Sequence, residues 1–390
     1  MASSDKNQPA TTAITAGRDD SGSLAPSLTP ATSWSSTGLE ESHRQATAIH
    51  ETKFYSRYAN PTVEAFEHAI AELENTQAAL AFASGMGAVS SVVLALCSKG
   101  DHIVAQRNCY AGTLAFLNGP CARLGIDVTF VDGRNAQEFA SAVRPGKTML
   151  VMAESPSNPH LDLVDLAALG AIKGPITVID STLATPLGQR PHDYGVSIVL
   201  HSATKGIAGH NDATIGVIAG DDELIGEIWG YSILHGATAS PFDAMNALRG
   251  VRTLDARLAR QCESAQNLAE WLEQQKNVTA VHYPGLKSHP QHALAKKQMN
   301  YFGSVLSFEI AGGKPAATKL LSALKLIRPA VTLGGTETLI SHSASSTHNS
   351  VDADTKAKTG LTESLLRLSV GLEACVDIQR DLATAIAQAS

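Results

Sequence analysis

Cysteine is scarce in this chain: five in 390 residues, at 97, 109, 121, 262 and 375, an odd number with no CxxC spacing. That argues against a disulfide framework or a zinc ribbon and favours a reducing, cytoplasmic compartment. No block of Lys or Arg occurs and the net charge is only −7, so no nucleic-acid partner is expected. A membrane span requires about 20 predominantly apolar residues. The one long uncharged run, 75–98, is broken by Ser84, Gly85, Gly87, Ser90 and Ser91, which reads as a buried helix and no membrane partner. The small-residue turn Ser84-Gly85-Met86-Gly87 is neither a P-loop nor a GxGxxG, so no nucleotide is implied.

What is present describes a soluble globular protein, with 44% hydrophobic and 17% charged residues. The length suits one large or two ordinary domains with a substantial core. The first residues lack the basic start and apolar core of a signal peptide. Their Ser, Thr, Ala and Pro content predicts an extended arm rather than a packed element.

The middle of the chain alternates short apolar runs with helical patterns, the mark of βαβ units and a parallel sheet. TMLVMA (148–153) ends at Glu154, ITVI (176–179) at Asp180 and VSIVL (196–200) at His201. Each strand delivers a polar residue at its carboxyl end, the edge where open α/β sheets bind ligands. Lys205 follows the third of these strands directly. Upstream, AFASGMGAVSSVVLAL passes from a strand-like run through Ser84–Gly87 into a helix whose exposed N–H groups attract an anion. Lysine, acid, aromatic and anion cradle together suggest pyridoxal 5'-phosphate. Its aldehyde needs a lysine, its ring nitrogen a carboxylate and its phosphate N–H donors. Asp180, ending an internal strand, is the expected partner of the ring nitrogen.

These residues resemble the Cys/Met-metabolism enzymes that use pyridoxal phosphate, the group of cystathionine γ-synthase, cystathionine lyases, methionine γ-lyase and O-acetylhomoserine sulfhydrylase. The matching stretches are YSRYANPT (55–62), SGMGA (84–88), YAGT (110–113), ESPSNP (154–159), IDSTLATP (179–186), HSATKGIAGH (201–210), SPFDA (240–244), VTLGGTETL (331–339) and RLSVGLE (367–373), in family order. The resemblance implies the aspartate-aminotransferase-like α/β fold (fold type I). It implies an N-terminal arm at 1–60, a cofactor domain at 61–250 and a smaller C-terminal α+β domain at 251–390. Lys205 resembles the Schiff-base lysine that also carries protons, with Asp180 on the pyridinium and Tyr110 stacked on the ring and helping the leaving group. Gly85 and Met86 amides with Ser202 and Thr204 hydroxyls are the implied phosphate cradle. Tyr55 and Arg57 are implied to reach a neighbouring subunit's phosphate, in a homotetramer built from active dimers. Arg367, assisted by Asn158, is the implied clamp for the substrate carboxylate, a bidentate task suited to guanidinium. Thr332 stands in the implied substrate site and Glu154 nearby in support. The histidines at 201, 210, 342 and 348 have no ligand set at zinc spacing, so no metal is expected.

The implied activity is γ-elimination or γ-replacement on a small γ-substituted amino acid through a vinylglycine-type intermediate, with β-elimination, or a binding protein without chemistry, as alternatives. Departures from the family pattern bear on the substrate. Ser181 stands where Asn is frequent, Gly206 where an aromatic follows the lysine, and Thr332 where Ser is usual. Val331 replaces the glutamate of many cystathionine enzymes, and Gly112 replaces the cysteine of methionine γ-lyases, leaving room for a bulkier leaving group. From Asp243 to about Gln275 the sequence predicts one long amphipathic helix, with Leu248, Val251, Leu254, Leu258 and Leu268 on one side.

Overall fold

The computed structural model describes residues 7–18, 22–349 and 351–389; the other positions of the expected arm and C-terminal region lie outside the described residues. Seven strands form the first sheet: β1 (Ala78–Phe82), β2 (His102–Gln106), β3 (Asp127–Val131), β4 (Thr148–Glu154), β5 (Ile176–Asp180), β6 (Ile198–His201) and β7 (Gly216–Gly220). Their spatial order is β1-β7-β6-β5-β4-β2-β3. β6, β5, β4, β2 and β3 run parallel, while β7 is antiparallel to both β1 and β6. Central strands covered on both faces read as apolar runs rather than alternations. Accordingly every residue of β2, β6 and β7 is buried.

A second sheet is built from β8 (Val278–His282), β9 (Val305–Ile310), β10 (Arg328–Pro329), β11 (Leu339–His342) and β12 (Leu365–Ser369), in the order β10-β11-β12-β9-β8. One side of it carries Leu306, Phe308, Leu366 and Leu368 into a core shared with Ile378 and Leu382 of the helix Cys375–Ala389. Ser307, Arg367 and Ser341 are cross-strand neighbours on the opposite side. That side meets the loop after β4, where the Ser307 hydroxyl donates to Pro159 O at 2.6 Å.

Local chemistry sets the elements that carry the site. The helix Pro61–Glu74 starts with Pro61 at its first position and Asn60 as cap, accepting from Thr62 N at 2.9 Å. It buries Phe66, Ile70 and Leu73. The helix Gly85–Leu96 is capped by Ser84, whose Oγ accepts from Gly87 N at 3.0 Å. Its own N-terminus can therefore face the carboxyl edge of the sheet with only two amides to satisfy.

Two sequence expectations are corrected. The arm is not wholly extended: Pro9–Thr15 and Leu39–Thr47 are helical, and Ala13 and Ala16 pack into the same core as Phe66. A proline at the first helical position and small side chains against the neighbouring helix are sufficient for this. The long linker is two helices, Pro241–Val251 and Leu254–Leu272, broken at Arg252–Thr253. The break lets the chain press on the lysine loop. Gly250 lies so close to Ala208 that a Cβ there would fall 2.2 Å from its carbonyl oxygen. The Arg257 guanidinium then donates to the carbonyls of Gly206, Ile207 and Gly250 at 2.9, 3.1 and 2.7 Å. Leu248, Val251, Leu254, Leu258 and Leu268 are all buried, as their spacing requires.

Candidate active site

A cavity of about 350 Å³ opens at the carboxyl edge of β4, β5 and β6. Gly85, Met86, Tyr110, Asn158, Asp180, Ser202, Thr204, Lys205, Thr332 and Arg367 all line it. Tyr55 and Arg57 do not. Arg57 donates instead to Ile233 O at 2.5 Å, and its guanidinium carbon sits 5.2 and 5.3 Å from the ring centroids of Tyr55 and Tyr58. Tyr55 is left 41% exposed, which places this pair on an outer face of the chain.

Lys205 enters the cavity with its Nζ donating to Thr332 Oγ1 at 2.9 Å. Burial, and then the nearby Arg367 cation, lower its pKa and favour the neutral nucleophilic amine. The loop that presents Thr332 packs tightly on the lysine turn, because a Cβ on Gly334 would stand 2.5 Å from Gly206 N. Gly334 also has φ +79, so only glycine serves there without strain. Gly206 in turn faces the Thr185 methyl, so Thr185 and this backbone occupy the space around position 206.

Asp180 receives both the backbone N–H and the hydroxyl of Thr182 on Oδ1, at 2.9 and 2.5 Å. Its Oδ2 has no hydrogen-bond partner among the described residues. Burial pushes this carboxyl above its ordinary range, so a cation in the cavity is what would hold it ionised. Thr182, which sequence reasoning passed over, also accepts from Ser202 N at 2.8 Å and so joins the strand ends. Its signal was an Asx turn, Asp followed two residues later by Thr. Ser181 is buried away from the chemistry, where its Oγ accepts from Gln189 Nε2 at 3.0 Å.

At the other end the first two amides of the helix Gly85–Leu96, those of Gly85 and Met86, have no acceptor among the described residues. Two close approaches build this corner. A Cβ on Gly85 would meet Ser202 Cβ at 2.8 Å, and one on Gly216 would meet Ser84 O at 2.2 Å. The Thr204 hydroxyl is already engaged, donating to Ile215 O at 3.1 Å and accepting from Ile215 N at 2.9 Å.

Arg367 is only 2% exposed, yet its partners are all neutral. It donates to Asn158 Oδ1 at 3.1 Å, Val331 O at 3.0 Å and Thr332 O at 3.2 Å. Burial lowers its pKa to about 10, and its Nε has no partner among the described residues. Beside it stands a histidine that the sequence did not single out for this place, His348, pushed down to about 4 by burial and by Arg367. Glu154, 5% exposed, receives Tyr110 N at 2.8 Å on one oxygen and Asn158 N at 2.6 Å on the other.

One steric expectation fails. The space beside Gly112 is not open to a leaving group, because the Tyr110 ring fills it: a Cβ on Gly112 would fall 2.4 Å from Tyr110 Cε1. Among the described residues no group of three or more His, Cys, Asp or Glu is arranged to hold a metal, and no helix is long and apolar enough to cross a membrane.

An amine of lowered pKa, a half-satisfied carboxylate, two amides at a helix N-terminus without an acceptor among the described residues, and a buried guanidinium hydrogen-bonded only to neutral groups line one cavity and fit pyridoxal phosphate with an amino acid substrate. They define a fold type I enzyme dependent on that cofactor. The family model of Cys/Met metabolism PLP-dependent enzymes matches residues 10–387, and the chain belongs to that family. It is 40% identical over 372 residues to an L-methionine gamma-lyase of Treponema denticola, covering 94% of this chain and 92% of that protein. It is 42% identical over 349 residues to a cystathionine beta-lyase of Coxiella burnetii, covering 88% and 90%. The solved cystathionine gamma synthase of Xanthomonas oryzae pv. oryzae in complex with cystathionine superposes with a TM-score of 0.92 at 35% identity, covering 98% of this chain and 99% of that one.

Proposed function

We propose that this enzyme eliminates or replaces the γ-substituent of a small amino acid of the homoserine or homocysteine type. The observation that carries the reading is Arg367, a buried cation with only neutral partners, in the same cavity as Lys205 and Asp180. A substrate carboxylate is the anion it lacks. Bidentate binding there would orient Cα toward the Lys205 amine.

In this reading Lys205 would hold the cofactor covalently until substrate displaces it, Asp180 Oδ2 would bind the ring N–H, and Tyr110 would cover the ring face. The Gly85 and Met86 amides with Ser202 would bind the phosphate, joined by Thr204 in exchange for its bond to Ile215 O. Bound pyridoxal phosphate supplies the electron sink that makes the Cα proton removable. Lys205, freed and held by Thr332 Oγ1, would take the proton at Cα, pass it on to the bound cofactor, and as a neutral amine again take one at Cβ, so that the γ-substituent can depart. Tyr110, 40% exposed in the cavity lining, would give the leaving group a proton. Loss from Cβ after the first proton transfer is the second reading, favoured by the likeness to a cystathionine beta-lyase.

Tyr55 and Arg57, outside their own chain's cavity, would complete the phosphate site of a second subunit, in a homotetramer of active dimers. Arm, cofactor domain and C-terminal domain would then correspond to 1–60, 61–250 and 251–390. The free cysteines suit a cytoplasmic enzyme.

Val331 is 64% exposed at the cavity and brings no charge for a distal ammonium. The favoured substrates are therefore O-activated homoserines and methionine-like thioethers rather than cystathionine. The test is a panel of γ-substituted amino acids, with and without sulfide or cysteine, followed by mass spectrometry of products. We expect α-keto acid and ammonia, or a new γ-substituted amino acid. A kcat/KM for cystathionine above every other substrate would overturn the choice, and products of β-cleavage alone would favour the second reading.

A further inference from the structure

Glu154 ends β4 directly beside Asp180 at the end of β5, the two being register partners. A buried carboxylate beside a second, half-buried one is costly, so the pair needs a reason. Asp180 faces the cavity with a free oxygen, whereas both Glu154 oxygens are spent on backbone, one on Tyr110 N and one on Asn158 N. Its own N–H is held by Gln106 Oε1 at 2.9 Å, and the same amide donates to Asn108 O at 2.7 Å. The loop leading to Tyr110 is thereby fixed twice to one strand end. Asn158 in turn holds Arg367 through its side chain at 3.1 Å.

We propose that Glu154 is a positioning residue, a carboxylate bracket that sets the Tyr110 ring and the Asn158–Arg367 clamp at one fixed separation across the cavity. The inference rests on reading Arg367 as the clamp for the substrate carboxylate. Two N–H donors converge on two separate oxygens, an arrangement a carboxylate accepts and an amide does not: glutamine offers one acceptor, and its NH₂ would oppose the second N–H. Burial and the adjacent Asp180 raise the Glu154 pKa, while the two N–H groups and Arg367 pull the other way and favour the ionised form that accepts both donors. The bracket is thus maintained against an electrostatic cost, which packing alone would not require.

The test uses the cofactor-loaded protein and two unreactive probes, glycine and methylamine, whose binding is followed by the change in cofactor absorbance. Both present an amine and only glycine presents a carboxylate, so the ratio of their affinities reports on the clamp without any turnover. In Glu154→Gln we expect this ratio to fall about tenfold, KM to rise by a similar factor, and the thermal midpoint to move little. Combined with Arg367→Lys, the loss in the ratio should be well below additive, since both changes act on one contact. Glu154→Asp keeps both acceptors at shorter reach and should restore part of the ratio. An unchanged ratio in a folded Glu154→Gln protein, or full additivity with Arg367→Lys, overturns the proposal. Loss of fold in both Glu154 variants also overturns it, in favour of a purely structural carboxylate. Wild-type protein that binds glycine no better than methylamine would instead refute the clamp reading of Arg367, a separate outcome.

Discussion

Replacing Arg367 by lysine tests the reading at its most exposed point. The guanidinium spends Nη1 on Asn158 Oδ1 at 3.1 Å and Nη2 on the carbonyls of Val331 and Thr332 at 3.0 and 3.2 Å. These bonds fix the plane of the guanidinium and leave Nε without a partner among the described residues, so a bound carboxylate would pair with Nε and with Nη2, the latter releasing one carbonyl. Lysine keeps the charge but has no fork, and its ammonium cannot reach all three acceptors. Hydrogen bonds to charged groups contribute roughly 1.5–3 kcal/mol each. With one of two substrate bonds lost, the deficit is about 1.5–3 kcal/mol, or about 10–150-fold in kcat/KM. Part of it should appear in kcat, because Val331–Thr332 also carries the hydroxyl that receives Lys205 Nζ at 2.9 Å. Steady-state kinetics on a γ-substituted amino acid, set against binding of the corresponding amine without its carboxylate, separates these effects. A loss under about threefold in kcat/KM, or an equal loss for the amine, would refute the assignment.

Asp180→Asn should leave the thermal midpoint nearly unchanged and remove most activity, since an amide does not hold the ring nitrogen protonated; near-normal kcat would count against that pairing. Mixed oligomers of Arg57→Ala with Lys205→Ala chains, each inactive or weak alone, should regain some activity if a cavity borrows Arg57 from its neighbour, and verified mixtures without recovery would refute a shared site. Glu67, buried and raised to about 8 from an ordinary 4.5 by burial, binds its proton more tightly in the folded state than in the unfolded one. The sign is therefore that stability is fully present below pH 4.5 and falls as pH rises toward 8, by an amount on the order of 1–3 kcal/mol. Glu67→Gln preserves an acceptor for Ala81 N, now bonded at 2.7 Å, and should melt progressively higher than wild type between pH 5 and 8; a pH-independent difference would contradict this.

Much of the site was legible because parallel strands advertise their ends. A continuous apolar run that stops at Glu154, Asp180 or His201 marks the carboxyl edge of the sheet without any knowledge of its order. The helix N-terminus after Ser84–Gly87 was legible for a different reason, since a turn of small residues between a strand-like run and a helical pattern exposes the first N–H groups. That Ser84 itself caps the helix came from the structure. Contacts between distant segments were not legible. The break at Arg252–Thr253 reflects Gly250 against Ala208 and Arg257 against three carbonyls, none of which alters the local periodicity. The helix Pro9–Thr15 likewise depends on a neighbour that covers Ala13 and Ala16, in a composition that by itself reads as extended. Gly112 looked like spare volume because a sequence reports which side chain is missing. It does not report that Tyr110 turns back to occupy the gap.

The same distinction explains why the substrate was harder to read than the cofactor. The proposed cofactor contacts come from strand ends and one helix N-terminus, each with a local signature. Substrate contacts come from where separate segments meet. Arg367 lies on β12, Asn158 after β4 and Val331 before β11, and only folding brings them to one cavity. Their charges decide what is welcome there. Asp180 Oδ2 has no hydrogen-bond partner among the described residues, whereas both Glu154 oxygens accept backbone N–H groups. In the arm, the carboxylates of Glu41 and Glu51 are both paired with Arg44, at 2.8 and 2.9 Å. Those two carboxylates are thus committed to Arg44, and the exposed Val331 brings no charge to the cavity. On the proposed reading, Arg367 takes the substrate carboxylate and Asp180 the cofactor ring, and the cavity then offers a distal ammonium no charged partner at Val331.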